Sequence, residues 1–362
     1  MISDVARAAG VSKSAVSFAF NAPERLNRAT VARIREIATA MNYRPDPVAR
    51  MLAQRRTMTI GVLTPQGLDE VFTNPYFGSL AAGIATAAES AGYVLQFISP
   101  VRGSLARAVD QASVDGILAV GLWKNHPEVG MIRRSGIPFV LVDSTALPRE
   151  PSVRVDDEGG ARAAAEHLLG LGHRRFAVLA FTPPDDDEPA AQDAEPPDPH
   201  RSPGAVDVSA LRLRGYRGAL KLAGIELARE AVASSASTLE GGADGLRLLL
   251  QGGLRATAVL AMSDALAIGA MRAARELALS VPGDVSIVGF DDIDLAQYTD
   301  PPLTTVHQPG RQKGDIAMRM LLDRLERREP GGTQQVLLET RLIIRGSTSP
   351  GPHTRQEVTR SE

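Results

Sequence analysis

DVARAAGVSKSAVSFAFNAPERLNRATVARIREIATAMNY, residues 4–43, decides how the rest of the chain is read. Ile2, Val5, Ala6 and Ala9 fall at i, i+3, i+4 and i+7, the apolar face of a short helix. Gly10 follows, where a left-handed C′ position suits a residue without Cβ. Ser12 stands as the N-cap of a second helix, Lys13 to Phe20. A third helix begins after Asn27 and is expected to bury Val31, Ile34, Ala38 and Met41. Two short helices joined by a glycine-containing turn form the helix-turn-helix pattern, whose second helix lies in the DNA major groove. A small protein-binding bundle is the competing reading, and charge separates the two. Residues 1–58 carry ten Lys/Arg against four Asp/Glu, leaving thirty against thirty-eight for the remainder. A basic head on an acidic body is the asymmetry of a DNA-binding module joined to something else.

The 362 residues suffice for roughly two or three domains. No apolar run of about eighteen residues occurs, so no membrane-spanning helix is expected. Asp4 and Arg7 interrupt the first apolar stretch, which argues against a signal peptide. The absence of cysteine removes disulfides and thiolate metal sites and fits a cytoplasmic protein. The six histidines show no ligand spacing, so neither metal nor cofactor is expected.

After Tyr43 comes RPDPVARMLAQRRTMT, in which Asp46 can cap and Pro47 can open a short helix from Val48 to Gln54. A helix this short is marginal alone, so it should form only when held. From Thr59 the pattern changes. Apolar, β-branched runs at 59–63, 93–98, 116–120, 138–143, 175–181, 257–262 and 285–291 are separated mostly by helical patterns. That alternation makes βαβ units and a buried parallel sheet. The rhythm occurs twice, which predicts two doubly wound subdomains with a cleft between them, and ligands bind beyond the carboxyl ends of such strands. Residues 182–208, rich in Pro and Asp/Glu, and the tail from Ser349 are expected to be disordered.

DVARAAGVSKSAVSFAFN, YRPDPVARML and the later series SDALAIGAMRAAREL, VSIVGFDD and PPLTTVHQP resemble the LacI/GalR family of transcriptional repressors. The likeness covers about residues 1–348, the 182–208 segment apart. It implies an all-α helix-turn-helix head at 1–45, a hinge helix and linker at 46–58 and an effector-binding, dimerising core at 59–348. The core is α/β, two doubly wound parallel-sheet subdomains of the periplasmic-binding-protein-like type. One subdomain is expected at about 59–155 plus 290–320 and the other at about 156–289 plus 321–348. The disordered insertion 182–208 and tail 349–362 complete the division. The family implies a homodimer on a near-palindromic operator of double-stranded DNA, answering to a small effector, a sugar or nucleobase-like molecule.

Carried over by position, Lys13 and Ser14 fall where the family reads bases, and Ser12, Ser17, Asn21, Asn27, Thr30 and Tyr43 where it touches or frames phosphates. Short hydroxyl and amide donors suit phosphate, and long side chains early in the helix reach base edges. Phe18 departs from the family's usual arginine and can touch a thymine methyl but cannot bond guanine. Leu52 matches the minor-groove wedge, with Ala49 beside it. Asp46 replaces a common Asn. For the effector, the resemblance assigns Tyr76, Asp143, Arg212, Ser263, Asp264 and Asp291. Carboxylates and an arginine at strand ends suit a hydroxyl-rich ligand. Ser263 replaces a frequent Asn, and Gly310 stands where an aromatic often closes the pocket.

These residues point to a sequence-specific DNA-binding regulator, read as a repressor, whose operator affinity an effector controls. A constitutive DNA-binding regulator without effector is the alternative. An enzyme is not expected, since the first strand runs into GVLTPQG rather than a G-x-G-x-x-G fingerprint, and neither a P-loop nor G-x-S-x-G occurs. A transport-type solute receptor fits the cleft but not the basic head.

Overall fold

Ile2–Ala8 (α1), Lys13–Asn21 (α2) and Arg28–Ala40 (α3) are the N-terminal helices of the computed structural model. It describes residues 1–44, 56–122, 127–144, 150–181, 208–327 and 334–351. The chain divides into two units, Met1–Thr59 and Ile60–Glu362. In the first, Val5, Ala6, Ala9, Val16, Ala19, Ile34 and Ala38 form one apolar cluster. Gly10 adopts φ +61° between α1 and α2, and Val11 N–H donates to the Ala6 carbonyl at 3.0 Å, closing the α1 terminus. The expected third helix stops one residue early. Met41 is 44% exposed because the chain reverses at Asn42 (φ +48°), and Tyr43 N–H returns to the Ala38 carbonyl at 2.8 Å. The Tyr43 ring then packs edge-on against Phe20 at 6.1 Å, covering the core in place of Met41.

The second unit holds two six-stranded sheets. The strands of the first are Thr59–Leu63 (β1), Val94–Ile98 (β2), Gly116–Val120 (β3), Phe139–Val142 (β4), Ser152–Val155 (β5) and Gln335–Leu338 (β11). The second sheet comprises Phe176–Phe181 (β6), Val232–Ser235 (β7), Ala258–Ala261 (β8), Ser286–Asp291 (β9), Thr304–His307 (β10) and Arg341–Ile343 (β12). Their orders, β11-β5-β4-β3-β1-β2 and β12-β10-β9-β8-β6-β7, repeat one doubly wound scheme. Central strands such as β3, β4, β8 and β9 are buried along their whole length, so both sheet faces must be covered.

Helices do the covering. In the first lobe they are Leu68–Thr73 (α4), Pro75–Ser90 (α5), Leu105–Gln111 (α6), Pro127–Ser135 (α7) and Gly310–Arg327 (α12). In the second they are Asp157–Gly170 (α8), Val208–Leu222 (α9), Leu239–Gln251 (α10) and Asp264–Glu276 (α11). α5 packs on α12, α8 on α9, and α10 on α11. The α5–α12 crossing is backbone to backbone: a Cβ on Gly83 would meet the Arg311 carbonyl oxygen at 2.0 Å, and one on Gly314 the Leu80 carbonyl oxygen at 2.2 Å.

The chain passes between lobes three times, after β5, after β10 and between β11 and β12. This corrects the expected allotment. Residues 304–307 were placed in the first subdomain, yet β10 pairs with β9 and β12 in the second sheet. Residues 321–338 were placed in the second, yet α12 lies on β3, β4 and β5, and β11 pairs with β5. Each lobe borrows its last element from the far side of a crossover, which hydrophobic runs alone do not reveal. The insertion and tail expectations also shift. Val208 already opens α9, and Ser349–Gly351 are tied to the second lobe through Pro282, Ser286 and Leu171. The rest of both segments, like Asp46, Ala49 and Leu52, lies outside the described residues.

Candidate functional site

On α2, Lys13, Ser14, Ser17, Phe18 and Asn21 share the side away from buried Val16 and Ala19. Lys13 and Ser14 are exposed. Ser12 Oγ accepts the Ala15 N–H at 3.1 Å and Asn27 Oδ1 the Thr30 N–H at 2.7 Å, so both start a helix where expected. Accepting that bond leaves the Ser12 hydroxyl its own proton to donate. Asn21 Nδ2 donates to Ser17 Oγ at 3.3 Å, joining two of the expected phosphate-side residues. The Arg35 guanidinium donates twice to the Ala19 carbonyl, at 3.2 and 3.3 Å, locking the end of α2 onto α3.

In the core, the carboxyl ends of β4 and β9 face one another across the lobes through a chain of polar side chains. Asp143, just after β4, turns to φ +47°, while Asp291 and Asp292 have φ +126° and +58°. Such conformations cost about 1–3 kcal/mol each outside glycine and persist only where surroundings impose them. Here they aim carboxylates off the strand ends. Lys313 on α12, fully buried, donates to Asp143 Oδ1, to the Tyr76 hydroxyl at 2.6 Å and to Gln308 Oε1 at 2.9 Å. All three ammonium protons are thereby used. Tyr76 in turn donates to Asp143 Oδ2 at 2.6 Å.

Gln308 carries the chain onward, its Nε2 donating to Asp291 Oδ1. Arg212 Nη1 lies 3.8 Å from the same oxygen, while its Nε donates to Asp157 Oδ1 at 2.9 Å and Nη1 to the Met262 carbonyl. The guanidinium carbon sits 3.6 Å from the Phe290 ring centroid and 5.9 Å from that of Phe181. An arginine so enclosed is held in one rotamer.

Three carboxylates against two cations leave the cleft net acidic. Burial pushes the Asp291 carboxyl up to about 6, despite Arg212 and Gln308, which favour its ionised form. Burial raises Asp157 as well, against the pull of Arg212. For Arg212, burial opposes the charge, but Asp157 and Asp291 outweigh it and raise the pKa above its ordinary value. Burial, then Asp143, lifts the Tyr76 phenol well above its usual range, so it stays a donor.

Tyr76, Asp143, Arg212 and Asp291 thus come together as expected for one site. Ser263 and Asp264 stand at the Asp291 end of this group, where the Asp264 backbone N–H bonds the Asp291 carboxyl. Ser263 Oγ accepts the Leu266 N–H at 3.2 Å, capping α11, and meets Ser237 Oγ at 2.9 Å. Asp264 is fully buried, its two oxygens accepting from Thr305 Oγ1 and from the Ile293 N–H at 2.9 Å. Burial, then Asp291, raises its pKa well above the carboxylate range. Its side chain ties the loop after β9 to α11, in space that Gly289 leaves by having no Cβ.

Three members of the network are absent from the sequence-based set. Asp157 and Gln308 follow strands β5 and β10 and could have been taken as strand-end residues. Lys313 carries no such signal, because a lysine in an amphipathic helix reads as a solvated face. A Cβ at Gly310 would lie 3.1 Å from Ser79 Oγ and 3.2 Å from Tyr76 Cε2.

Comparison with known proteins places both parts. Residues 1–46 match the model for bacterial regulatory proteins of the lacI family. Residues 57–193 match that for periplasmic binding proteins and the sugar binding domain of the LacI family, and 165–348 a periplasmic binding protein-like domain. The ribose operon repressor of Escherichia coli (strain K12) is 32% identical over 353 residues, 95% of this chain and 98% of that protein. A solved complex of the transcriptional regulator CelR with cellobiose is 28% identical with TM-score 0.67, covering 96% of this chain and 99% of that one. The lac repressor dimer bound to operator and the anti-inducer ONPF is 25% identical with TM-score 0.79, again over 96% and 99%. A helix-turn-helix head and a two-sheet core are therefore matched together and in the same order, and the chain belongs to the LacI family of bacterial regulatory proteins.

Proposed function

We propose that this protein is a cytoplasmic, homodimeric repressor that binds operator DNA through residues 1–45 and lets go or tightens in response to a sugar held between its core lobes. The observation that carries the sugar reading is the polar chain Tyr76–Asp143–Lys313–Gln308–Asp291–Arg212, drawn from both lobes. Alternating donors and acceptors on fixed side chains recognise vicinal hydroxyls. Because one ligand can touch both lobes, it has different contacts in each lobe arrangement, the condition for shifting a two-state equilibrium. Of the family-based effector residues, Tyr76, Asp143, Arg212 and Asp291 belong to this chain, Ser263 and Asp264 stand at its Asp291 end, and Asp157, Gln308 and Lys313 are added. The relatives bearing a ribose operon and a cellobiose complex in their names support a sugar rather than a nucleobase. No catalytic residue is assigned.

Lys13 and Ser14 are assigned to base edges, and Ser12, Ser17, Asn21, Asn27, Thr30 and Tyr43 to the phosphate backbone. The hinge at 46–58 is assigned a minor-groove wedge at Leu52, beside Ala49. Titration of a labelled operator with a panel of mono- and disaccharides at fixed salt tests the whole reading. One sugar should change operator affinity at least fivefold while others do not. An affinity that no sugar alters would leave a constitutive DNA-binding regulator.

A further inference from the structure

We propose that Arg25 is a specificity-determining residue of the head, held over the ring of Phe18 so that its guanidinium reads a guanine beside α2. The inference rests on the reading of the head as a DNA-binding module. Phe18 is the one large apolar side chain among Lys13, Ser14, Ser17 and Asn21, and it has no hydrogen-bonding group to offer a base edge. Arg25 closes the tight turn Pro23–Arg25. That turn is fixed from within: Pro23 sets its first φ, and the Arg25 and Leu26 N–H groups donate to the Ala22 and Pro23 carbonyls at 3.0 and 3.2 Å. Leu26 packs against the head's apolar cluster, so the turn is anchored to it.

From that anchor Arg25 reaches back to α2, placing its guanidinium carbon 5.2 Å from the Phe18 ring centroid. This is cation–π distance. Among the described residues Arg25 is exposed and has no ion pair, so the ring is its partner in the structure. The guanidinium carbon lies over the ring. The rim of a guanidinium carries its N–H donors in a rigid fork that matches O6 and N7 of guanine in the major groove. Phe18 is then a positioning residue: it fixes the fork beside the base-facing surface of α2 and keeps its own ring edge for a neighbouring thymine methyl.

Selection from a randomised duplex library by the full-length protein tests the proposal, using the natural chain and the variants Arg25→Ala, Arg25→Lys and Phe18→Ala. The natural chain should demand guanine at one position per half-site. Arg25→Ala should relax that position alone, by about 5- to 150-fold in relative affinity, the range for loss of a bidentate base contact. Arg25→Lys should not restore the preference, since an ammonium lacks the fork. Phe18→Ala should relax the same position, with circular dichroism and thermal melting showing that the head stays folded. If Arg25→Ala instead weakens every sequence evenly and lowers the salt slope by about one charge, Arg25 touches only phosphate and the proposal is overturned. If the natural chain selects no sequence, the DNA-binding reading itself fails, an outcome distinct from an even loss in Arg25→Ala alone.

Discussion

At the scale of single residues, the cleft is an arrangement in which every charge depends on another. Lys313 is fully buried and bonded to Asp143, Tyr76 and Gln308. Removing one partner of a buried pair leaves the other uncompensated, at about 3–5 kcal/mol. Lys313→Met should therefore lower unfolding stability by about that much, and Asp143→Asn added to it should recover a substantial part, read from urea midpoints in a double-mutant cycle. Additive losses would mean that the two residues act separately. Asp291 supplies a pH prediction with two opposite signs. Its carboxyl is raised to about 6 from an ordinary 3.8, so the folded state holds the proton more tightly than the unfolded chain. Its contribution to stability is full below the unfolded value and is lost as pH rises through about 6. Sugar binding should run the other way, weakening as pH falls from 7 to 5, because a protonated carboxyl loses acceptor capacity. Asp291→Asn should flatten both profiles. Unfolding curves and sugar titrations at pH 5, 6 and 7 measure them, and unchanged slopes in the variant would remove Asp291 from both roles.

At the scale of elements, glycine decides how close the helices come. α5 carries Tyr76 and α12 carries Lys313, and the two helices touch at Gly83 and Gly314. Gly83→Ala should destabilise by about 1–3 kcal/mol, because the added methyl overlaps backbone rather than a movable side chain. Gly78, on the same helix, has nothing within 4 Å of its added Cβ, so Gly78→Ala should stabilise by up to about 1 kcal/mol through helix propensity. Midpoints that move alike in the two variants would mean that the α5–α12 crossing can relax. The separation of α5 from α12 should also loosen sugar binding, since it moves Tyr76 away from Lys313. Elements differ in how plainly they could be read. Strands β3 and β9 were evident as unbroken apolar runs because both faces are buried. β5 (SVRV) and β7 (VASS) were not, since four residues with Arg154 or paired serines among them show no run or alternation.

At the scale of the whole molecule, the predicted behaviour is coupling between a sugar and an operator. Coupling of binding free energies is reciprocal, so the operator must change sugar affinity by the same factor as the sugar changes operator affinity. Calorimetric sugar titrations with and without a saturating operator duplex should return the factor found by operator titration. A factor that differs in the two directions would point to linked dimer dissociation rather than a simple two-state core. Operator binding should also weaken steeply with salt, since lysines and arginines of the basic head displace phosphate counterions.

The sequence by itself determined the local things. Apolar spacing, caps at Ser12 and Asn27 and the glycine turn specified the head, because helix starts and stops depend on neighbours within four residues. Alternating apolar runs and helical stretches likewise specified two lobes on mainly parallel sheets, but not that β12 joins β10 antiparallel. Which lobe owns β10, α12 and β11 was decided only in three dimensions, since a crossover is defined by its pairing partner and not by its own composition. The same holds for Asp264 and Lys313. The burial of each depends on groups as far along the chain as Thr305 for the first and Asp143 for the second. Long-range packing sets the dielectric and the partners of a charge, and no local pattern records it.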